Sequence, residues 1–172
     1  PHHPEQYVSV LRERDYPYVL IDHKGASKDD ISVVAANWQG GYEATQYLIQ
    51  LGHRRIGIIT GNMEMDSAVD RLAGYKAALH NAGINIDPSL IFQGDFHESS
   101  GIEGTSALLD LPQPPTAIFA SNDIMALGVL AAARMRGLSV PGHLSLVGFD
   151  DIPMASMSWP RLTTVRQPLA EM

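Results

Sequence analysis

The chain has 172 residues, 45% of them apolar, which is enough for one generous domain or two small ones. Its 12 basic and 19 acidic side chains leave a formal charge of -7, the wrong sign for a surface shaped to lie on phosphate. No cysteine is present, which excludes disulfides and thiolate metal sites, and no apolar run reaches the length of a membrane span.

The chain opens on Pro1 rather than Met, so its true N-terminus is expected to lie upstream. Residues 5–14 read as a helix before the apolar run Tyr18-Val-Leu-Ile-Asp22. A second strand over residues 31–36 follows after only a polar loop, too short for a parallel crossover helix. Residues 40–51 set Tyr42, Ala44, Tyr47, Leu48 and Leu51 mostly on one stripe, a helix that stops at Gly52. After the strand Ile56-Gly-Ile-Ile-Thr-Gly-Asn62, residues 67–82 repeat Ala68, Leu72, Tyr75, Leu79 and Ala82 at helical spacing. Asp66 or Ser67 is the expected N-cap there and Gly83 the C-cap. The strand Leu90-Ile-Phe-Gln-Gly-Asp-Phe96 precedes a helix over 99–111 ended by Pro112. Ala117-Ile-Phe-Ala-Ser-Asn-Asp123 runs into a helix over 122–136, capped by Asn122 or Asp123 and closed by Gly137. Leu144-Ser-Leu-Val-Gly-Phe-Asp-Asp151 is followed by a short helical turn and a β-branched strand, Leu162-Thr-Thr-Val-Arg-Gln167.

Short apolar runs alternating with helices call for an α/β fold with parallel sheets flanked by helices. The rhythm breaks twice, before 31–36 and before 162–167, and both breaks read as crossings between two lobes. In open α/β sheets a ligand binds beyond the carboxyl ends of the strands, where this chain repeatedly carries carboxylates, amides or an aromatic.

Each such residue has a plain reading and a functional one. Asp123 is either a helix cap or, if Asn122 does the capping, a group left to face a cleft. Arg71 is either a surface partner of Asp66 or Asp70 or a forked donor to ligand hydroxyls or a carboxylate. Phe96 is core or a stacking surface. Asp22 and Asp150 divide between turn chemistry and ligand contact. Met63 and Met65 are lid-like contacts or adaptable filler. No G-x-S-x-G elbow, G-x-x-x-x-G-K-[ST] loop or G-x-G-x-x-G turn is present, and the seven histidines are scattered. Neither catalysis nor a metal or cofactor is expected.

Several segments in order carry a resemblance: Leu51-Gly-His-Arg-Arg-Ile56, Arg71-Leu-Ala-Gly-Tyr75, Gly94-Asp-Phe96, Pro115-Thr-Ala-Ile-Phe-Ala-Ser-Asn-Asp-Ile-Met-Ala-Leu-Gly128, Gly137-Leu-Ser-Val-Pro-Gly142, Val147-Gly-Phe-Asp-Asp151 and Pro160-Arg-Leu-Thr-Thr-Val165. Over residues 16–172 the chain resembles the effector-binding core of the LacI/GalR family of bacterial transcription regulators. The resemblance implies a two-lobed, periplasmic-binding-protein-like fold whose N-terminal lobe is incomplete here. Residues 1–36 and 162–172 would belong to that lobe, and 37–161 to the C-terminal lobe. It implies a cytoplasmic repressor core that binds a small polar effector, expected to be a sugar or sugar derivative, in the cleft. Operator DNA would be bound through a helix-turn-helix absent from this stretch, and the expected assembly is a homodimer with no membrane partner. The ligand positions carried over are Asp22, Arg71, Phe96, Asp123 and the 61–67 loop with Asn62, Met65 and Ser67. Asn122 and Asp150 complete the candidate set. The family commonly has Asp-Asn after its second strand where this chain has Ala36-Asn37. A periplasmic sugar-binding protein is the alternative, disfavoured by the Gly-His-Arg-Arg and Pro-x-Leu-Thr-Thr segments.

Overall fold

The central apolar runs become parallel strands because both their faces are buried. The computed structural model describes residues 4–168 except 24 and 26. Five strands form one parallel sheet in the order β4-β3-β5-β6-β7: β3 (Ile56–Thr60), β4 (Ile91–Gln93), β5 (Ala117–Ala120), β6 (Ser145–Asp150) and β7 (Thr163–Arg166). Every residue of β3 and β5 is buried. Side chains alternate faces along a strand, and the core divides accordingly. On one side Ile56, Ile58 and Phe119 pack with Leu48, Tyr75 and Leu79 from α2 (Asn37–Gln50) and α3 (Asp66–Asn81). On the other, Ile59, Ile118 and Ala120 pack with Leu108, Met125 and Val129 from α4 (Glu98–Leu109) and α5 (Asp123–Met135). Full burial of side chains of this size contributes about 1.5–3 kcal/mol each.

Gly40 and Gly41 do not start a helix, as residues 40–51 had suggested; they lie inside α2, buried where it crosses α3. A Cβ on Gly41 would lie 2.4 Å from the carbonyl oxygen of Arg71, so the close approach of the two helices requires its absence. Neither Asp66 nor Ser67 caps α3. Met65 occupies that position in extended conformation without a side-chain cap bond, and Asp66 falls in the first turn, where a carboxylate suits the helix dipole.

Ahead of this unit lie α1 (Pro4–Glu13), β1 (Leu20–Ile21) and β2 (Ser32–Val33). The two strands pair in parallel, Leu20 with Ser32 and Ile21 with Val33, across a connection that carries no helix among its described residues. That absence is what the loop's length suggested, but the break is not the lobe crossing expected there, since it joins two strands of one sheet. Strands of two residues need little backtracking, so a plain loop suffices.

The place of the last strand is also corrected. β7 does not join the N-terminal sheet; it bonds along β6, with Val147 opposite Thr163 and Phe149 opposite Val165. The short α6 (Pro153–Met157) returns the chain beside its own strand, so the second rhythm break is an abbreviated crossover within one sheet. Neither break is a passage between the two sheets. That passage lies over residues 34–36, ending at Asn37.

Candidate ligand-binding site

Beyond the carboxyl ends of β1, β3, β5 and β6, several polar side chains converge on one buried cation. Arg71 rises from the second turn of α3 and is only 3% exposed. A guanidinium taken from water needs partners. Its Nε donates to Asn37 Oδ1 at 2.9 Å and its Nη1 to the Ser121 carbonyl at 2.5 Å. Nη1 also lies 3.6 Å from Asp150 Oδ1. The guanidinium carbon stands 3.8 Å from the centre of the Phe149 ring and 5.8 Å from that of Phe96. Burial pulls the Arg71 pKa below its ordinary value, opposed by the fields of Asp150, Asp22 and Asp123. The plain reading of Arg71 as a surface ion pair is thereby corrected, since its side chain turns inward.

Three carboxylates surround this cation. Asp22 follows β1, donates its N–H to Val33 O at 2.8 Å, and accepts the Asn37 amide on Oδ1 at 3.2 Å. Asn37 thus joins Asp22 to Arg71 through the two ends of one side chain. Asp150 ends β6, is part-buried, and accepts from Gln167 Nε2 at 2.5 Å. Burial pushes its pKa up, against the pull of Arg71 and the Gln167 hydrogen bond. Asp123 has no exposed surface. Its Oδ1 accepts from Thr164 Oγ1 at 2.5 Å and its Oδ2 from the Ile152 amide at 2.9 Å, tying α5 to β7 and to the turn after β6. Burial raises the Asp123 pKa, partly offset by those hydrogen bonds. Asn122 caps α5 by accepting the Met125 amide at 2.8 Å, as one of the two readings expected. Asp123 is nonetheless not left open, because both its oxygens already have protein partners.

Phe96 lies half-buried beside the Arg71 guanidinium, its carbonyl accepting the Asn122 side-chain amide at 3.0 Å. Its ring occupies the space over Gly61, where a Cβ would fall 1.9 Å from Phe96 Cζ. Asp22, Phe96 and Asp150 have φ of 54°, 72° and 116°. Non-glycine residues held there cost about 1–3 kcal/mol each and concentrate at functional sites. The 61–67 loop forms one border. Asn62 Oδ1 accepts the Glu64 amide at 2.9 Å, Met65 is 43% exposed, and Ser67 is buried in the first turn of α3. His23 Nδ1 approaches Asp66 Oδ2 at 3.6 Å, linking the loop after β1 to that turn.

Asp22, Arg71, Phe96, Asp123 and Asp150 are therefore brought together, with Asn122 as a support. Asn37, Ser121, Phe149, Thr164 and Gln167 also belong to the cluster and were not among the expected residues. The Thr164 and Gln167 contacts were hidden by the misplacement of β7. Ser121 Oγ is fully buried and has no hydrogen-bond partner among the described residues. The same residues contain no group of three or more His, Asp or Glu placed to hold a metal, and no helix long and apolar enough to cross a membrane.

Residues 45–172 match the family model described as periplasmic binding protein-like domain. The HTH-type transcriptional repressor PurR of Escherichia coli O139:H28 is 42% identical over 168 residues, covering 96% of this chain and 49% of PurR. The chain thus spans about half the length of the curated relatives it matches. Among solved structures, a putative LacI transcriptional regulator of Bacillus cereus subsp. cytotoxis superposes with a TM-score of 0.90 at 34% identity, over 96% of this chain and 59% of that one. The CelR–cellobiose complex gives 0.91 at 38% identity, over 96% and 51%. The chain belongs to the periplasmic binding protein-like family, as an effector-binding domain of the LacI/GalR type of transcription regulators.

Proposed function

We propose that this chain is the effector-sensing core of a LacI-type transcriptional repressor, with its ligand site around Arg71. The observation that carries the reading is the buried Arg71, held between Asn37, Ser121 and Asp150 just beyond the strand ends. Asp22, Phe96 and Asp150 contact the ligand beside Arg71, and Asn62, Met65 and Ser67 border it from the 61–67 loop. Asn122 and Asp123 set the position of that wall rather than reach into the site. The ligand is a small polar molecule of the sugar class, a reading supported by the likeness to CelR in its cellobiose complex. In this reading α1, β1 and β2 belong to one lobe and the five-stranded unit to the other, with Asn37 at the join.

Operator contact in such a regulator falls to its helix-turn-helix, since a charge of -7 opposes a phosphate surface within this stretch. The protein works as a homodimer in the cytoplasm and performs no catalysis. A thermal-shift screen of the full chain against sugars and nucleosides tests the site. Binding to the native state raises stability by RT ln(1 + [L]/Kd), and the true effector stands out by that rise. Arg71→Met should remove it; a stabilising ligand whose effect survives that substitution binds elsewhere.

A further inference from the structure

The end of the sheet opposite the Arg71 cluster carries a notch of its own. β7 begins at Thr163, paired with Val147, so Ser145 and Leu146 of β6 have no strand beside them on that side. Their other side is taken by β5. The gap forms a cavity of about 220 Å³. Leu48 from α2, Leu130 from α5, Val140, Leu146 and Leu162 supply apolar walls. Ser145 and Asp150 stand at the two ends of β6, about 16 Å apart at the usual rise per strand residue, so the notch shares no space with the cluster.

The polar groups left over in this cavity are donors. Ser145 Oγ is already bound to His53 Nε2 at 2.8 Å, and His53 Nδ1 to Thr116 Oγ1 at 2.8 Å. That leaves the hydroxyls of Tyr47 and Thr163 and the guanidinium of Arg161. All three side chains are exposed, and none has a side-chain partner among the described residues. Among those residues no Asp or Glu lines the cavity, in a chain with 19 acidic side chains against 12 basic. An uncompensated cation over apolar walls is the complement of an anion with an apolar body.

We propose that this notch is a second binding site, for a small amphipathic carboxylate: one ring or a short alkyl chain ending in a single carboxylate. The body lies against the leucines and the carboxylate meets Arg161 at the rim, where a guanidinium fork matches its two oxygens. Size sets the upper bound. An apolar cavity of about 150 Å³ admits benzene, and drug-sized ligands need roughly 300 Å³ or more; 220 Å³ falls between them. A sugar would give up water for walls that return no hydrogen bonds. Since the notch and the Arg71 cluster lie at opposite ends of β6, such an acid and the effector bind without competing.

The test is amide shift mapping by NMR on the full chain with benzoate and hexanoate, each against its amide, benzamide or hexanamide, and with glucose and inorganic phosphate as controls. At least one acid should saturate with a Kd on the order of 1 mM or tighter. It should move the amides of Leu51, Ser145, Leu146 and Thr163, and its amide counterpart should bind at least about fivefold more weakly. Glucose and phosphate should leave those signals in place. Arg161→Gln should remove the preference for the acid, and Thr163→Tyr, which sets a ring in the mouth from an exposed edge position, should abolish binding. The proposal is overturned if neither acid saturates by about 20 mM, or if the amides bind as tightly as the acids. Shifts that gather around Arg71 instead, binding that survives both substitutions, or saturable movement of the same amides by glucose or phosphate also overturn it. Should either variant not fold, the shift map and the acid–amide comparison on the wild type still decide.

Discussion

Phe149 and Asp150 are consecutive residues of β6, yet both meet Arg71, one with its ring face at 3.8 Å and the other with its carboxylate at 3.6 Å. Neighbouring strand residues point to opposite faces, so this convergence needs a break in the alternation. It occurs at Asp150, whose φ of 116° lies outside the strand region. The cost of that conformation is offset by the ion pair and ring contact it permits.

Arg71→Met keeps the bulk but leaves Asp150 and Asp22 without their buried counter-ion. The expected loss is about 3 kcal/mol of unfolding free energy, the order seen when one partner of a buried pair is removed. Arg71→Lys restores charge but not the forked geometry that reaches Asn37 and Ser121 together, and should recover only part of the loss. Urea unfolding of the three proteins measures both. Equal stability of wild type and Arg71→Met would mean that the cation does not hold the cluster together.

Gly61 and Phe96 compete for the same volume. Gly61→Ala would set a methyl within the ring of Phe96, 1.9 Å from Cζ, and must displace it. The expected result is lower stability and weaker effector binding, with a changed near-ultraviolet signal from the moved ring. Phe96→Ala should cost about 1–2 kcal/mol, less than the roughly 3–5 kcal/mol of a fully buried phenylalanine, because the ring is half-exposed. A larger loss without change in affinity would assign Phe96 to the core alone. A Gly61→Ala protein with unchanged stability and spectrum would refute the steric argument.

The strands and their helices were legible because burial on both faces leaves a continuous apolar run, as in Ile56-Gly-Ile-Ile and Ala117-Ile-Phe-Ala. The carboxyl-end residues were legible for the same reason, as the polar groups that close those runs. Pairing between strands is not written locally. β7 has the mixed exposure of an edge strand, and nothing within residues 162–167 names β6 as its partner. Asn37 was missed because its role depends on Asp22 and Arg71, groups fifteen and thirty-four positions away. Asp123 was identified by place, but the partners of its carboxylate were not legible. Its partners Thr164 and Ile152 lie on elements whose positions only the folded chain reveals.

Acid stability should depend on Asp30. Hydrogen bonds from the Tyr18 hydroxyl and the Ser27 amide, with Arg12 beside it, hold its carboxyl at about 2, below its ordinary 3.8. A carboxylate with a depressed folded pKa releases its proton more readily in the folded state, so the unfolded chain binds more protons between those values. Its stabilisation is present above about pH 4 and is lost as pH falls toward 2. Asp30→Asn should therefore be less stable than wild type at pH 5, and the gap should narrow steadily from pH 4 to pH 2. A gap independent of pH across that interval would show that Asp30 contributes packing rather than charge.

The dimer surface proposed for this chain has a physical candidate away from the ligand cluster. Trp159 is 87% exposed and Met157 79%, beside a groove of about 650 Å³ whose lining mixes Leu127, Leu130, Leu138 and Val140 with Glu98 and Arg134. Large apolar side chains grouped this way mark association surfaces. A second copy placed there would cover the indole and the methionine, and a charge at their centre would oppose that. Trp159→Asp should convert a dimer into a monomer, or weaken the dimer at least about tenfold, while leaving effector affinity within a factor of about two. Sedimentation equilibrium across concentrations, with calorimetry on the same samples, separates the two effects. A Trp159→Asp protein that dimerises as tightly as wild type would move the interface to another face.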